Sequence, residues 1–175
     1  DLDRAVELYR RAVECCPDHP GHRVLLALAL EEQGAVDASA QLEAAWELGW
    51  RMRPKLRTYV RLVRCKRRLD GLGPGEADPL LAAEIRIAEE TATALGQGVP
   101  AGQAALMATV LALREGQLDL AESAYRRFEA RIPEGWAEPT LVELLRQVEA
   151  SSAAWVTDAA RVRRTMQAIL DGIPT

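Results

Sequence analysis

The chain has 175 residues, 49% hydrophobic, 27% charged and 5% aromatic. That length suits a single domain spanning 1–175 and hides roughly 70% of the unfolded surface on folding, so neither disulfide nor metal is needed for stability, and the apolar fraction excludes a disordered or collagen-like chain. The formal net charge of −4 marks no bulk preference for nucleic acid or membrane, yet the charge is uneven: residues 51–68 hold nine basic side chains and no acidic one, leaving 13 basic against 26 acidic residues elsewhere.

Ala and Leu dominate, no stretch alternates with period two, and every strong apolar pattern has helical period, so the expected fold class is all-α. Leu2, Ala5, Val6, Tyr9, Ala12, Val13 and Cys16 line one stripe of a first helix that stops before Pro17. A second begins at Pro20-Gly21 and runs to Gln33, with Gly34 as a left-handed cap. Its run Val24 to Leu30 is apolar nearly all round, which predicts a helix sandwiched between others. The third spans about 36–48 and the fourth 54–69, followed by the loop Gly71-Leu72-Gly73-Pro74-Gly75. Asp78 as N-cap and Pro79 as first residue open the fifth, reaching Leu95. Helices six and seven take about 101–115 and 118–131, split at Gly116. Thr140 with Glu143 forms a capping box for the eighth. The ninth carries Trp155, Ala159, Val162, Met166, Ile169 and Leu170, with Arg161 and Arg164 on its back, as suits a terminal helix that caps a stack, and helices eight and nine together form C-terminal capping helices over 140–171. About nine helices joined by short turns pack most economically as antiparallel hairpins.

Cys15, Cys16 and Cys65 make an odd count, and the adjacent pair cannot easily bond on a helix. This reduced-thiol pattern points to the cytoplasm. The apolar runs fall short of the ~18 residues of a membrane span, so no membrane partner is expected.

Ala5, Tyr9 and Ala12 return 33 residues later as Ala38, Leu42 and Ala45. Small residues let helices approach and the larger one fills the gap between them. The stretch from Asp3 to Pro17 resembles the second helix of a tetratricopeptide repeat, Leu26, Ala27, Leu30 and Gly34 resemble the following first helix, and Gly116, Asp119, Ala121, Tyr125 and Pro133 match another copy. The resemblance is good over 1–48 and 101–133 and fades over the hairpin 54–95. It implies a right-handed superhelical stack of helix hairpins that binds a protein or peptide on its concave surface. The chain would then open at the second helix of a repeat, as a segment of a longer protein or one missing a partner helix. The family's clamp for acidic chain termini uses Lys and Asn, and this chain has no Asn, so that clamp is not expected.

Arg53, Arg57, Arg61, Arg64 and Arg68 recur at spacings of four, four, three and four, forming one stripe of the fourth helix, with Leu56, Tyr59, Val60 and Val63 on its buried side. Aligned guanidiniums can grip carboxylates or phosphates bidentately. The alternative is internal pairing with Glu84, Glu89 and Glu90. Nucleic acid is disfavoured because the acidic remainder repels phosphate and Tyr59 alone offers little stacking. Trp50 and Trp136 lie in or beside loops and can anchor a partner. Cys15, Cys16, His19 and His22 contain metal-ligand types, but Cys15 falls where a repeat buries a small side chain and the turn would splay the histidines, so no metal is expected. There is no Gly-x-Ser-x-Gly elbow, no serine beside a histidine and no phosphate-cradling loop, so neither catalytic residues nor a cofactor are assigned.

The expectation is therefore a non-catalytic interaction scaffold with a protein or peptide partner, an acidic one where the arginine stripe takes part, met by the arginine stripe, Trp50 and Trp136. Binding of nucleic acid or another anion by the stripe, and self-association as a homo-oligomer, are the alternatives.

Overall fold

The computed structural model describes residues 1–73, 76, 78–131, 164 and 167. Among these residues the chain is all-helical: α1 (Leu2–Cys15), α2 (Pro20–Glu32), α3 (Ala38–Glu47), a 3₁₀ turn (Gly49–Arg51), α4 (Pro54–Gly71), α5 (Pro79–Ala94), α6 (Gly98–Arg114) and α7 (Leu118–Glu129). No helix is long and apolar enough to cross a membrane among the described residues. The expected helices over 140–171, with Trp136, lie outside the described residues, except that Arg164 and Gln167 are helical and exposed.

Helix boundaries follow local chemistry. The Asp1 side chain accepts from the Arg4 N–H at 3.3 Å and Asp78 Oδ1 from the Leu81 N–H at 2.9 Å, each satisfying a donor the first turn leaves orphaned. Pro20 and Pro79 occupy first helical positions, where a missing N–H costs nothing. The turns α2–α3, α5–α6 and α6–α7 share one device. Gly34, Gly96 and Gly116 have φ of 69°, 66° and 72°, and the residue after each donates back to the carbonyl of Leu30, Ala92 or Ala112 at 2.8–2.9 Å. This Schellman closure ends each helix and reverses the chain within a few residues.

Two compact units result, Asp1–Arg64 and Cys65–Thr175. In the first, α2 packs between α1 and α3. One side of α2 supplies Val24 and Ala27 to a core with Leu42, Ala45, Met52 and Val60, and the other supplies Leu26, Ala29 and Leu30 to a core with Val6 and Ala38. This explains the all-round apolar run: α2 has no solvent face over Val24 to Leu30 except at Leu25, which is 44% exposed, and Leu28, which is half-buried. The two halves of the 33-residue echo meet different fates. Ala38, Leu42 and Ala45 are buried, while Ala5, Tyr9 and Ala12 are half-buried; among the described elements α1 packs chiefly on α2, and α3 on α2 and the 3₁₀ turn.

In the second unit α6 lies between α5 and α7. From Ala104 to Leu113 only Ala108 escapes full burial. Each fully buried Leu or Val there contributes about 1.5–3 kcal/mol. Thr109, the polar residue in that run, is silenced by donating to the Ala105 carbonyl at 3.0 Å. Tyr125 and Phe128 of α7 stack with centroids 5.7 Å apart. Arg114 is buried at the end of α6 and donates to the carbonyls of Leu69 and Leu72 at 2.7 and 2.8 Å, which fastens the C-terminal turn of α4.

Candidate functional site

The basic block begins in the 3₁₀ turn and continues along α4. Trp50 is 73% exposed. The Arg51 guanidinium lies 4.4 Å over its ring and also reaches Asp18 at 3.0 Å. On α4, the Cζ atoms of Arg57, Arg61 and Arg64 lie 5.5, 5.3 and 4.5 Å from the centroid of the Trp46 ring, supplied by α3. Three cations spaced four and three residues apart therefore share one indole. Guanidinium over indole contributes about 0.5–1 kcal/mol where exposed, and it fixes each side chain without consuming its hydrogen-bond donors.

Arg64 is committed: its Nε and Nη2 donate to the two Glu43 carboxylate oxygens, both at 2.8 Å. Arg53 and Arg57 are exposed and make no ion pair among the described residues. Arg68 falls in the second unit, where it donates to Asp78 at 2.5 Å. Burial alone would raise the Asp78 carboxyl, but the Leu81 N–H and Arg68 hold it below the usual carboxylate range. Glu89 and Glu90, expected as partners of the stripe, are engaged elsewhere. Glu89 takes Arg127 at 2.8 Å and also Arg131, and Glu90 takes Arg86 at 3.1 Å. Arg64 and Arg68 do pair with carboxylates, but with Glu43 and Asp78 rather than with Glu89 or Glu90.

Tyr59, expected on the buried side of α4, is 38% exposed. The helix instead buries Thr58, Leu62, Cys65 and Leu69 beside Val60, a second stripe that a single-face reading misses. Two further expectations are corrected. Cys15 and Cys16 are both exposed, at the point where α1 ends. The turn does not splay His19 and His22: their rings stack with centroids 4.1 Å apart, and His22 Nδ1 lies 3.2 Å from the Ala12 carbonyl oxygen. Among the described residues no three His, Cys, Asp or Glu side chains converge as a metal site requires.

Next to the block a cleft of 670 Å³ opens at the α1–α2 turn, lined by Cys16 to Gly21 and by Arg51, Arg53 and Leu56. That volume falls within the roughly 300–1,000 Å³ of ordinary ligand sites. Sequence reasoning missed it, because it needs the turn at Pro17 to be brought against the start of α4. Arg53 lines the cleft and also belongs to the arginine stripe of α4.

Comparison with family models, with curated proteins and with solved structures finds no match for this chain.

Proposed function

We propose that the chain is a non-catalytic helical-hairpin module, built as a tetratricopeptide-like superhelical stack in a cytoplasmic protein, that binds an acidic segment of a protein partner on its Arg–Trp face. The carrying observation is that Arg53 and Arg57 stand exposed with no carboxylate partner among the described residues while their neighbour Arg64 already shows the bidentate carboxylate grip the face is shaped for. Trp46 orients the row from beneath, and exposed Trp50 supplies an apolar anchor of the type enriched at binding hot spots. The three Schellman-closed hairpin turns and the Ala, large, Ala echo support the repeat reading.

The test is fluorescence anisotropy with a labelled glutamate-rich peptide, a Gly-Ser peptide of equal length and a DNA oligonucleotide. Saturable binding of the acidic peptide is expected, weakened on the order of tenfold in an Arg53→Glu/Arg57→Glu variant. Equal affinity for the variant, or preference for the DNA, contradicts the reading.

A further inference from the structure

The second unit carries a separate groove whose floor is α6 and whose walls are α5 and α7. Because successive helices are antiparallel neighbours joined by tight turns, α5 and α7 run the same way. The starts of both helices therefore stand beside the end of α6. One end of the groove is closed by Glu89 and Arg127, joined across α6 by their ion pair. At the other end stand Glu115, Gln117 and Leu120. Leu120 is 60% exposed there, and Leu80, in the first turn of α5, is 73% exposed at the same end.

Among the described residues the charges lining this groove are paired, with one exception. Glu89 is held by Arg127 and Arg131, and Arg86 by Glu90. Glu115 is half-buried and has no ion pair among the described residues. Burial pushes its carboxyl up, the direction expected of a carboxylate that lacks a countercharge. It also sits at the C-terminal end of α6, where the helix dipole adds negative potential and favours a cation. The groove volume is 200 Å³, below the roughly 300–1,000 Å³ of sites for whole small molecules, so it has room for protruding side chains. The floor is apolar, with Ala108, Leu111 and Ala112 facing Ile85 and Ala124 on the walls.

We propose that this groove is a second docking surface, for a protein segment that presents an aliphatic side chain beside a lysine or arginine. The aliphatic group fills the space over Ala108 and Ala112, and the cation meets Glu115 at the open end next to Leu120. The chemistry is opposite to that of the basic surface of the first unit, so the two faces take different partner segments.

The test is a ¹H–¹⁵N correlation titration of the full chain with the capped peptide Ser-Leu-Leu-Lys-Ser. Two counterparts serve as controls, one with Glu in place of Lys and one with Ser in place of both leucines. Saturable shifts of the Ala112, Glu115, Gln117 and Leu120 amides are expected with the first peptide. Affinity should fall about threefold to tenfold for either counterpart, and similarly in the variants Glu115→Gln and Leu120→Ser. Both substitutions fall at partly or well exposed positions, and an otherwise unchanged spectrum verifies the fold. Equal response to all three peptides, an unchanged affinity in Glu115→Gln, or no saturable shift overturns the proposal.

Discussion

At the scale of single residues, the sharpest conformational demand falls on Gly116. At φ 72° an L side chain costs roughly 1–2 kcal/mol, and its turn joins the central helix of the second unit to α7. Gly116→Ala is expected to lower unfolding free energy by that amount in denaturant titration. Gly71 is the contrast: it ends α4 without a left-handed φ, and a Cβ there meets nothing within 4 Å. Gly71→Ala is expected to be neutral or to gain about 0.5–1 kcal/mol. Glu89 makes a prediction in pH. Burial raises its carboxyl, but hydrogen bonds and charge from Arg127 and Arg131 outweigh that and hold it below the usual range. A depressed folded-state value means the stabilisation is complete above the unfolded value of about 4.3 and is lost as pH falls through the folded one. Glu89→Gln should therefore cost about 1–3 kcal/mol at pH 7. Between about pH 5 and pH 3 its unfolding free energy should fall less steeply than that of the wild type, and parallel acid limbs would contradict this assignment.

At the scale of elements, the chain announces its helices through punctuation. Pro20, Pro79, Asp78, Gly34 and Gly116 each act where their backbone chemistry requires, so starts and ends are legible from the residues alone. Which face a helix buries is less legible when it has neighbours on two sides. The run in α2 betrays its double burial by being apolar all round. α4 hides its own, because Thr58 and Cys65 do not look like core residues and the long arginine stems cover apolar surface while their heads stay wet. Partner choice in ion pairs between different helices is not legible. Glu43 and Asp78 meet Arg64 and Arg68 only because of how α3 and the start of α5 come alongside. Arg114 shows the same dependence: nothing near it in sequence says that it will be buried against the end of α4. Arg114→Leu removes the donor to the Leu69 and Leu72 carbonyls. It is expected to lower stability by about 1–3 kcal/mol and to speed hydrogen exchange in the last turn of α4. Unchanged exchange there would show that those bonds do not hold the turn.

At the scale of the whole molecule, the net charge of −4 conceals a basic stretch, residues 51–68, within an acidic remainder. The basic surface was legible as a spacing of arginines, and Trp50 as a ring beside a loop, which is exposed. The role of Trp46 as the shared seat for three guanidiniums was not legible, because it requires α3 and α4 to lie side by side. Affinity for an acidic peptide is expected to weaken as salt rises, since exposed pairs are screened within about 10 Å at 0.1 M ionic strength. Salt-independent binding would place the energy in apolar contacts instead. The most direct measurement follows the tryptophan indole N–H resonances while a glutamate-rich peptide is titrated into the full chain. Saturable shifts are expected at Trp46 and Trp50, and they should disappear when Arg53 and Arg57 are both changed to Glu. Peptide binding that leaves the Trp46 and Trp50 signals unmoved would contradict it.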